Sequence, residues 1–124
     1  MLVDSHCHLN LLDLTPYNEN LGELIEEAKK AGVEHLLCVG IDLETAKEVL
    51  DIAERFKQVS ASVGLHPSTI VAEEPTVETL VELAKHPRVV AIGETGLDYY
   101  HNTEHLESMR DRFRRQYTSG HSIK

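Results

Sequence analysis

The sequence predicts an α/β fold in which four β/α units form a parallel sheet. Short apolar runs of strand length alternate four times with segments that carry apolar residues at helical spacing. This alternation is typical of βαβ units, in which helices connect parallel strands. Each unit is about thirty residues long, the usual length of such a unit. The 124 residues fit a single domain with a substantial core.

The first unit begins with an apolar strand at residues 1–5, which a polar loop at residues 10–20 separates from the first helix. Asn20 and Glu23 have the spacing of a capping box, and Gly32 is a natural C-terminal stop. The helix itself is predicted from an apolar stripe at positions i, i+3, i+4 and i+7, formed by Leu21, Leu24, Ile25 and Ala28.

The second strand is predicted over residues 34–40 and the third over residues 59–64, where Pro67 soon ends the extended run. Asp42 is expected to cap the second helix, and Thr76 the third. Both helices show apolar stripes at helical spacing, formed by Ala46, Val49, Leu50 and Ala53 in one and by Val77, Leu80, Val81 and Ala84 in the other.

The fourth unit has an apolar strand at residues 89–93, directly followed by Glu94. Thr103 is expected to begin the last helix, and residues 117–124 are expected to form a polar tail without pattern. The inner face of this helix is predicted to contain Leu106, Met109 and Phe113.

The net charge of -9 is unevenly distributed. Residues 1–109 carry 20 acidic and 7 basic residues, whereas residues 110–124 carry 1 acidic and 5 basic residues. An acidic body argues against non-specific binding to duplex nucleic acid, which needs a basic patch. The arginines of the basic segment are expected on a solvated helix face, with phosphate contact as the alternative; they are Arg110, Arg112, Arg114 and Arg115.

Two cysteines, Cys7 and Cys38, are too few for a disulfide framework, so a reducing, cytoplasmic setting is predicted. The sequence shows neither a secretory leader pattern nor an apolar window of membrane-spanning length. We therefore expect a cytoplasmic protein with no membrane partner.

His6 and His8 at the end of the first strand predict a metal site. Residues two apart in a strand point to one face, so both imidazoles can bind one ion while Cys7 turns toward the core. The carboxyl ends of parallel strands meet at one rim, which adds His66 and Glu94. Imidazole and carboxylate ligands suit Zn or Mn better than Mg, and a carboxylate can bridge two ions.

The other polar residues of the rim leave alternatives open. His66 either orients substrate, moves a proton or supports a ligand, or it is a loop histidine bonded to backbone. Asp98 and Tyr99 are close enough in sequence to reach the same rim, although Tyr99 and Tyr100 can equally cover it. His35 is expected to be structural, and no role is assigned to His101, His105 and His121.

Three segments, residues 3–9, 63–67 and 91–100, together resemble the motifs of the TatD family of metal-dependent deoxyribonucleases. The resemblance covers residues 1–116 and implies the N-terminal half of a TIM-barrel metal-dependent hydrolase, followed by the tail at 117–124. It implies one or two divalent ions (Zn, Mn or Mg) and hydrolysis of DNA phosphodiesters, with single strands or 3′ ends as substrate. Metal binding is then assigned to His6 and His8, the bridging of two ions and a part in catalysis to Glu94, and positioning of the phosphate to His66.

The sequence also departs from the family pattern. Ser68 stands where members usually carry a second histidine, and two later histidines and an aspartate of the pattern are not in this chain. We therefore expect a truncated, frameshifted or fragmentary product with weak or no activity alone, able to self-associate through exposed sheet edges. The alternatives are a non-catalytic remnant or association module, and an amidohydrolase-type enzyme acting on amides or lactones.

Overall fold

A computed structural model describes residues 1–123. Four strands form one parallel sheet in the order β1-β2-β3-β4, and a helix follows each strand. The predicted α/β fold of four β/α units is confirmed. The elements in chain order are β1 (Leu2–Cys7), α1 (Leu21–Lys30), β2 (Val33–Cys38), α2 (Ala46–Arg55), β3 (Val59–Val63), α3 (Val77–Ala84), β4 (Val89–Ile92) and α4 (Leu106–Ser122).

The interior of the sheet lies at β2 and β3. Val59 and Ala61 of β3 are buried and pack in one cluster with residues of α1 and α2. By contrast, β1 and β4 are the two edges of the sheet, and they expose Val3 and Val90. Backbone groups at such edges lack strand partners. The expected self-association through these edges stays a prediction.

Helix α1 begins and ends as its sequence predicts, but the capping box is only half formed. The Asn20 side chain accepts a hydrogen bond from the Gly22 amide at 2.9 Å. Glu23 accepts one from the Asn18 side chain instead of reaching back to Asn20. Gly32, just after the helix, has a φ of 95°, a left-handed conformation that glycine adopts at little cost.

Two local predictions need correction. The expected loop at residues 10–20 contains short 3-10 helices at Leu9–Leu11 and Thr15–Tyr17. Asp42 is not the N-cap of α2, because the helix starts later and Thr45 occupies that position. The Asp42 carboxylate instead accepts hydrogen bonds from the amide and hydroxyl of Thr45. The Thr76 cap of α3 is confirmed, since its hydroxyl accepts from the Thr79 amide.

Helix α4 differs most from the sequence prediction. It begins at Leu106, not at Thr103, and continues through Ser122, so the predicted tail is wrong for residues 117–122; Lys124 lies outside the described residues. The predicted inner face is only partly correct, because Leu106 and Phe113 are half-buried. The residues buried along α4 are Met109, Arg112, Gln116 and Ser119. A polar inner face explains why apolar spacing did not reveal the full helix.

The buried position of Arg112 also corrects the expectation of a solvated arginine face. Its guanidinium pairs with Glu74 in the loop before α3. Within residues 1–123, no helix combines the length and apolar character needed to cross a bilayer.

Candidate metal centre

The carboxylate of Glu94 lies between two histidines at the end of β1, His6 in the strand and His8 just after it, and His66. Its Oε2 is 3.2 Å from His6 Nε2 and 3.8 Å from His8 Nε2. In a flat sheet, three strand spacings of about 4.8 Å would hold β1 and β4 about 14 Å apart. The sheet is therefore strongly curled, and its concave face brings the first and last strands' side chains together.

A backbone hydrogen bond selects the tautomer of the neutral His8 ring. The Nδ1 of His8 lies 3.0 Å from the carbonyl oxygen of Val39, next to β2. Because a carbonyl can only accept, Nδ1 carries the hydrogen and the lone pair of a neutral ring is at Nε2. That nitrogen faces Glu94, so His8 is oriented as a metal ligand with the outer support that such ligands usually have.

Three ligand-type residues come together here: His6, His8 and Glu94. Their ligand atoms all lie within 4.8 Å of one another, close enough to share one ion. Two imidazole nitrogens and one carboxylate oxygen are the donor set of many Zn sites that keep a position open for water or substrate. The residues present therefore fit a divalent cation, as the sequence predicts.

A backbone contact just after β2 and a side-chain contact from β3 hold Glu94 at this place. Its amide donates to the Gly40 carbonyl at 3.0 Å. The buried Ser62 hydroxyl donates to the carbonyl of Gly93, the residue before it, at 2.9 Å. Sequence reasoning missed Ser62, although a hydroxyl in the buried strand β3 is an available signal, because buried polar groups need partners.

His66 lies on the other side of the same carboxylate. Its Nε2 is 3.2 Å from Glu94 Oε1, and its Nδ1 accepts a hydrogen bond from the Ser68 amide at 3.0 Å. Nδ1 is therefore unprotonated in the neutral ring, and Nε2 carries the hydrogen. Unlike His8, His66 faces Glu94 as a donor. The bridging of two ions by Glu94 stays a prediction, because Oε1 faces His66 here.

Asp98 does not join the ligand cluster but ties two rim loops together. It accepts hydrogen bonds from the amide and ring of His101 and from the Ser68 hydroxyl. These donors hold the pKa of the Asp98 carboxyl well below its usual range. Tyr99 is half-exposed, and its hydroxyl accepts from Arg110. His101, to which the sequence assigned no role, thus has a structural partner.

Cys7 and His35 lie where the sequence predicts. The Cys7 thiol donates to the Leu37 carbonyl and packs against the core. Burial, with a smaller contribution from Asp4, raises the pKa of Cys7 to about 12, so its thiol is protonated at neutral pH. His35 contacts the Ser60 hydroxyl at 2.8 Å, away from the metal centre.

The metal centre is open to solvent. It lies in a cavity of about 470 Å³. Four side chains at its base are partly exposed, with exposed fractions between 28 and 54%: His6, His8, His66 and Glu94. Molecules in solution therefore have direct access to them. The cavity is lined by His6, His8, Leu11, Ile41, His66, Ser68, Thr69 and Glu94.

Comparison with known proteins identifies the family. The family model described as "TatD related DNase" matches residues 3–124. The uncharacterized metal-dependent hydrolase YabD of Bacillus subtilis is 37% identical over 117 residues, which are 94% of this chain and 45% of YabD. The uncharacterized metal-dependent hydrolase TatD of Mycobacterium tuberculosis is 40% identical over 100 residues, 80% of this chain and 38% of that protein.

A solved structure shows the same fold. The crystal structure of YJJV, a TatD homolog from Escherichia coli, superposes with a TM-score of 0.77 at 24% identity, over 94% of this chain and 45% of that one. The four β/α units thus correspond to the N-terminal half of a TIM barrel. The chain belongs to the TatD family of metal-dependent hydrolases. It spans about half the length of the curated relatives that it matches.

Proposed function

We propose that this chain contributes the N-terminal part of a divalent-metal site that hydrolyses phosphodiester bonds of DNA. The observation that carries the proposal is the convergence of His6, His8 and Glu94 from opposite edges of the sheet. Zn and Mn suit the mixed nitrogen and oxygen donors better than Mg does. A bound cation would supply Lewis acidity toward a phosphoryl oxygen and lower the pKa of a bound water.

The proposed role of His66 is to hold the scissile phosphate. Its Nε2–H is the donor that faces the cavity, and Nδ1 is occupied by the Ser68 amide. A fixed donor at this place can bond a non-bridging phosphate oxygen as negative charge develops there. Glu94 would then release its Oε1 contact with His66 and keep Oε2 toward His6 and His8.

The family model supports DNA as the substrate, since it is described as a DNase. Single strands or 3′ ends are the proposed form of this substrate, because the charge of the chain argues against a duplex. An acidic protein has little electrostatic attraction for a duplex backbone, and most of this chain is acidic. A strand end can reach the open cavity with few phosphate contacts. We also propose a cytoplasmic location, in keeping with two free thiols.

Two alternatives to DNA hydrolysis are each supported by one observation. The cluster has three protein ligands among residues 1–123, which can hold one ion but not a full dinuclear cage. That favours weak activity or a non-catalytic association module. An amidohydrolase-type enzyme acting on amides or lactones would use the same pair of histidines.

Cleavage of a fluorescent single-stranded oligonucleotide with added Mn²⁺ or Zn²⁺ tests the proposal. We expect slow cleavage that EDTA abolishes, lowered at least about 100-fold by Glu94→Gln and by His66→Gln. The exposed His105→Ala variant is the matched control and should cleave as the unmodified protein does. Cleavage that survives Glu94→Gln would overturn the site. Metal binding without cleavage would support the association module, and hydrolysis of only a lactone or amide would support the third function.

A further inference from the structure

The chain segment that carries His66 leaves the sheet three residues before that histidine, at Val63. Strand β3 ends at Val63, so Leu65 has no strand partner, although it is completely buried. Its backbone amide and carbonyl must therefore find other partners, because buried unpaired peptide groups are costly. Among residues 1–123, no buried side-chain nitrogen or oxygen lacks a partner.

Gln116 on α4 supplies both partners of Leu65. Its Oε1 accepts from the Leu65 amide at 2.9 Å, and its Nε2 donates to the Leu65 carbonyl at 3.0 Å. A carboxamide has the same donor and acceptor as a peptide group. Gln116 thus takes the place of a neighbouring strand, 51 residues away in sequence.

Arg112, one turn earlier on α4, holds the next residue. Its guanidinium donates to the His66 carbonyl at 2.8 Å and also makes two hydrogen bonds to Glu74. An apolar pair of similar volume can replace a buried ion pair with no loss of stability. Stability alone therefore does not require Arg112, whereas an apolar side chain would leave the His66 carbonyl with the Thr69 amide, at 3.0 Å, as its remaining donor.

The absence of a side chain at Gly64 lets the Gln116 carboxamide approach the backbone closely. A Cβ at Gly64 would lie 2.4 Å from Gln116 Oε1 and 2.9 Å from the Gly93 carbonyl oxygen. Any larger residue would displace either the carboxamide or the strand that leads to Glu94. Gly64 and Gln116 are thus a matched pair of residues from distant parts of the chain.

We propose that Gln116 and Arg112 are positioning residues that hold the Leu65–His66 backbone, so that the His66 imidazole remains within hydrogen-bonding distance of Glu94. This α4 clamp, Gln116 with Arg112, rests on the proposed function of His66 and deepens it. Apart from the clamp, the His66 amide donates to the Ile41 carbonyl at 2.8 Å and the Thr69 amide donates to the His66 carbonyl at 3.0 Å. Loss of the clamp removes both partners of the Leu65 peptide groups, and we expect the Nε2 to Oε1 distance of 3.2 Å to vary more widely.

NMR of the labelled, metal-free protein tests the clamp without any reaction. Long-range proton–nitrogen correlations at about pH 8, where an ordinary histidine is neutral, report the imidazole tautomer of His66. Amide exchange reports the bonding of Leu65. We compare Gln116→Met, which keeps the volume, and Arg112→Lys, which keeps the charge toward Glu74. Ser119→Ala is the control, because Ser119 is buried on the same helix face but bonds only to Arg115.

In the unmodified protein we expect His66 to be in the Nε2–H form and the Leu65 amide to be protected. Gln116→Met should accelerate Leu65 exchange at least about tenfold over the control and give His66 a mixture of tautomers. Arg112→Lys should change the His66 signals alone. An unchanged His66 tautomer in folded Gln116→Met would overturn the proposal. If the variants do not fold, rapidly exchanging Gln116 carboxamide protons in the unmodified protein would overturn it.

Failure of the clamp and failure of the proposed function give different results. Titration of the same sample with Zn²⁺ should shift the ring signals of His6 and His8. Absent shifts would reject the metal site and leave the clamp result intact. Shifts together with an unchanged His66 in Gln116→Met would reject the clamp alone.

Discussion

The guanidinium of Arg112 donates two hydrogen bonds to the carboxylate of Glu74, at 2.8 and 2.6 Å. Only 6% of the Arg112 side chain and 19% of the Glu74 side chain are exposed. This paired fork geometry joins α4 to the loop before α3 and compensates the desolvation of both charges. Removal of one partner should lower the stability of the protein, because the other charge then remains buried and unpaired.

Glu74→Gln should lower the free energy of unfolding by about 3 kcal/mol, the low end for breaking a buried ion pair, since Glu74 is not fully buried. Urea denaturation measures the difference. The matched control is Glu82→Gln on α3, whose pair with Lys85 is exposed and is worth less than about 1 kcal/mol. Equal losses for both variants would show that the buried pair has no special role.

Two glycine substitutions should have opposite effects. Gly64→Ala should destabilise the protein by about 1–3 kcal/mol, because its Cβ would overlap Gln116 and the Gly93 carbonyl. Gly120→Ala, where nothing lies within 4 Å of the added carbon, should stabilise α4 by about 0.5–1 kcal/mol. Thermal denaturation compares them. A neutral Gly64→Ala would mean that the strand end adapts to the larger residue.

Cys7 should react slowly with thiol reagents. Burial raises its pKa to about 12, so the reactive thiolate is scarce at pH 7 and increases only as the pH approaches that value. Alkylation by iodoacetamide, followed by mass spectrometry of the peptides, should show a rate at least about tenfold below that of the denatured chain. Rapid labelling of Cys7 in the folded protein would contradict its buried environment.

The sequence predicted the order of the elements and their faces where burial is apolar. The stripe of α2 is an example, since Ala46, Val49 and Ala53 are all buried. It failed along α4, because Arg112, Gln116 and Ser119 occupy the inner face and do not form an apolar period. Their spacing of four and three residues is helical, but polar residues at that spacing also occur on exposed faces.

For the candidate site, the sequence predicted which residues lie together but not how the histidine rings are oriented. Strand alternation paired His6 with His8, and the parallel sheet placed Glu94 and His66 at the same rim. Sequence spacing did not distinguish His8 from His66. That distinction depends on tertiary partners, a Val39 carbonyl for one ring and a Ser68 amide for the other. The roles of Ser62 and Gln116 were missed for the same reason.

Equilibrium dialysis of metal-free protein against Zn²⁺ or Mn²⁺ measures whether His6, His8 and Glu94 bind an ion. We predict binding of at least one ion, weakened at least about 100-fold in His8→Ala and in Glu94→Gln, more than loss of a supporting contact would cause. His105→Ala should bind as the unmodified protein does. Undiminished binding by both His8→Ala and Glu94→Gln would contradict the account.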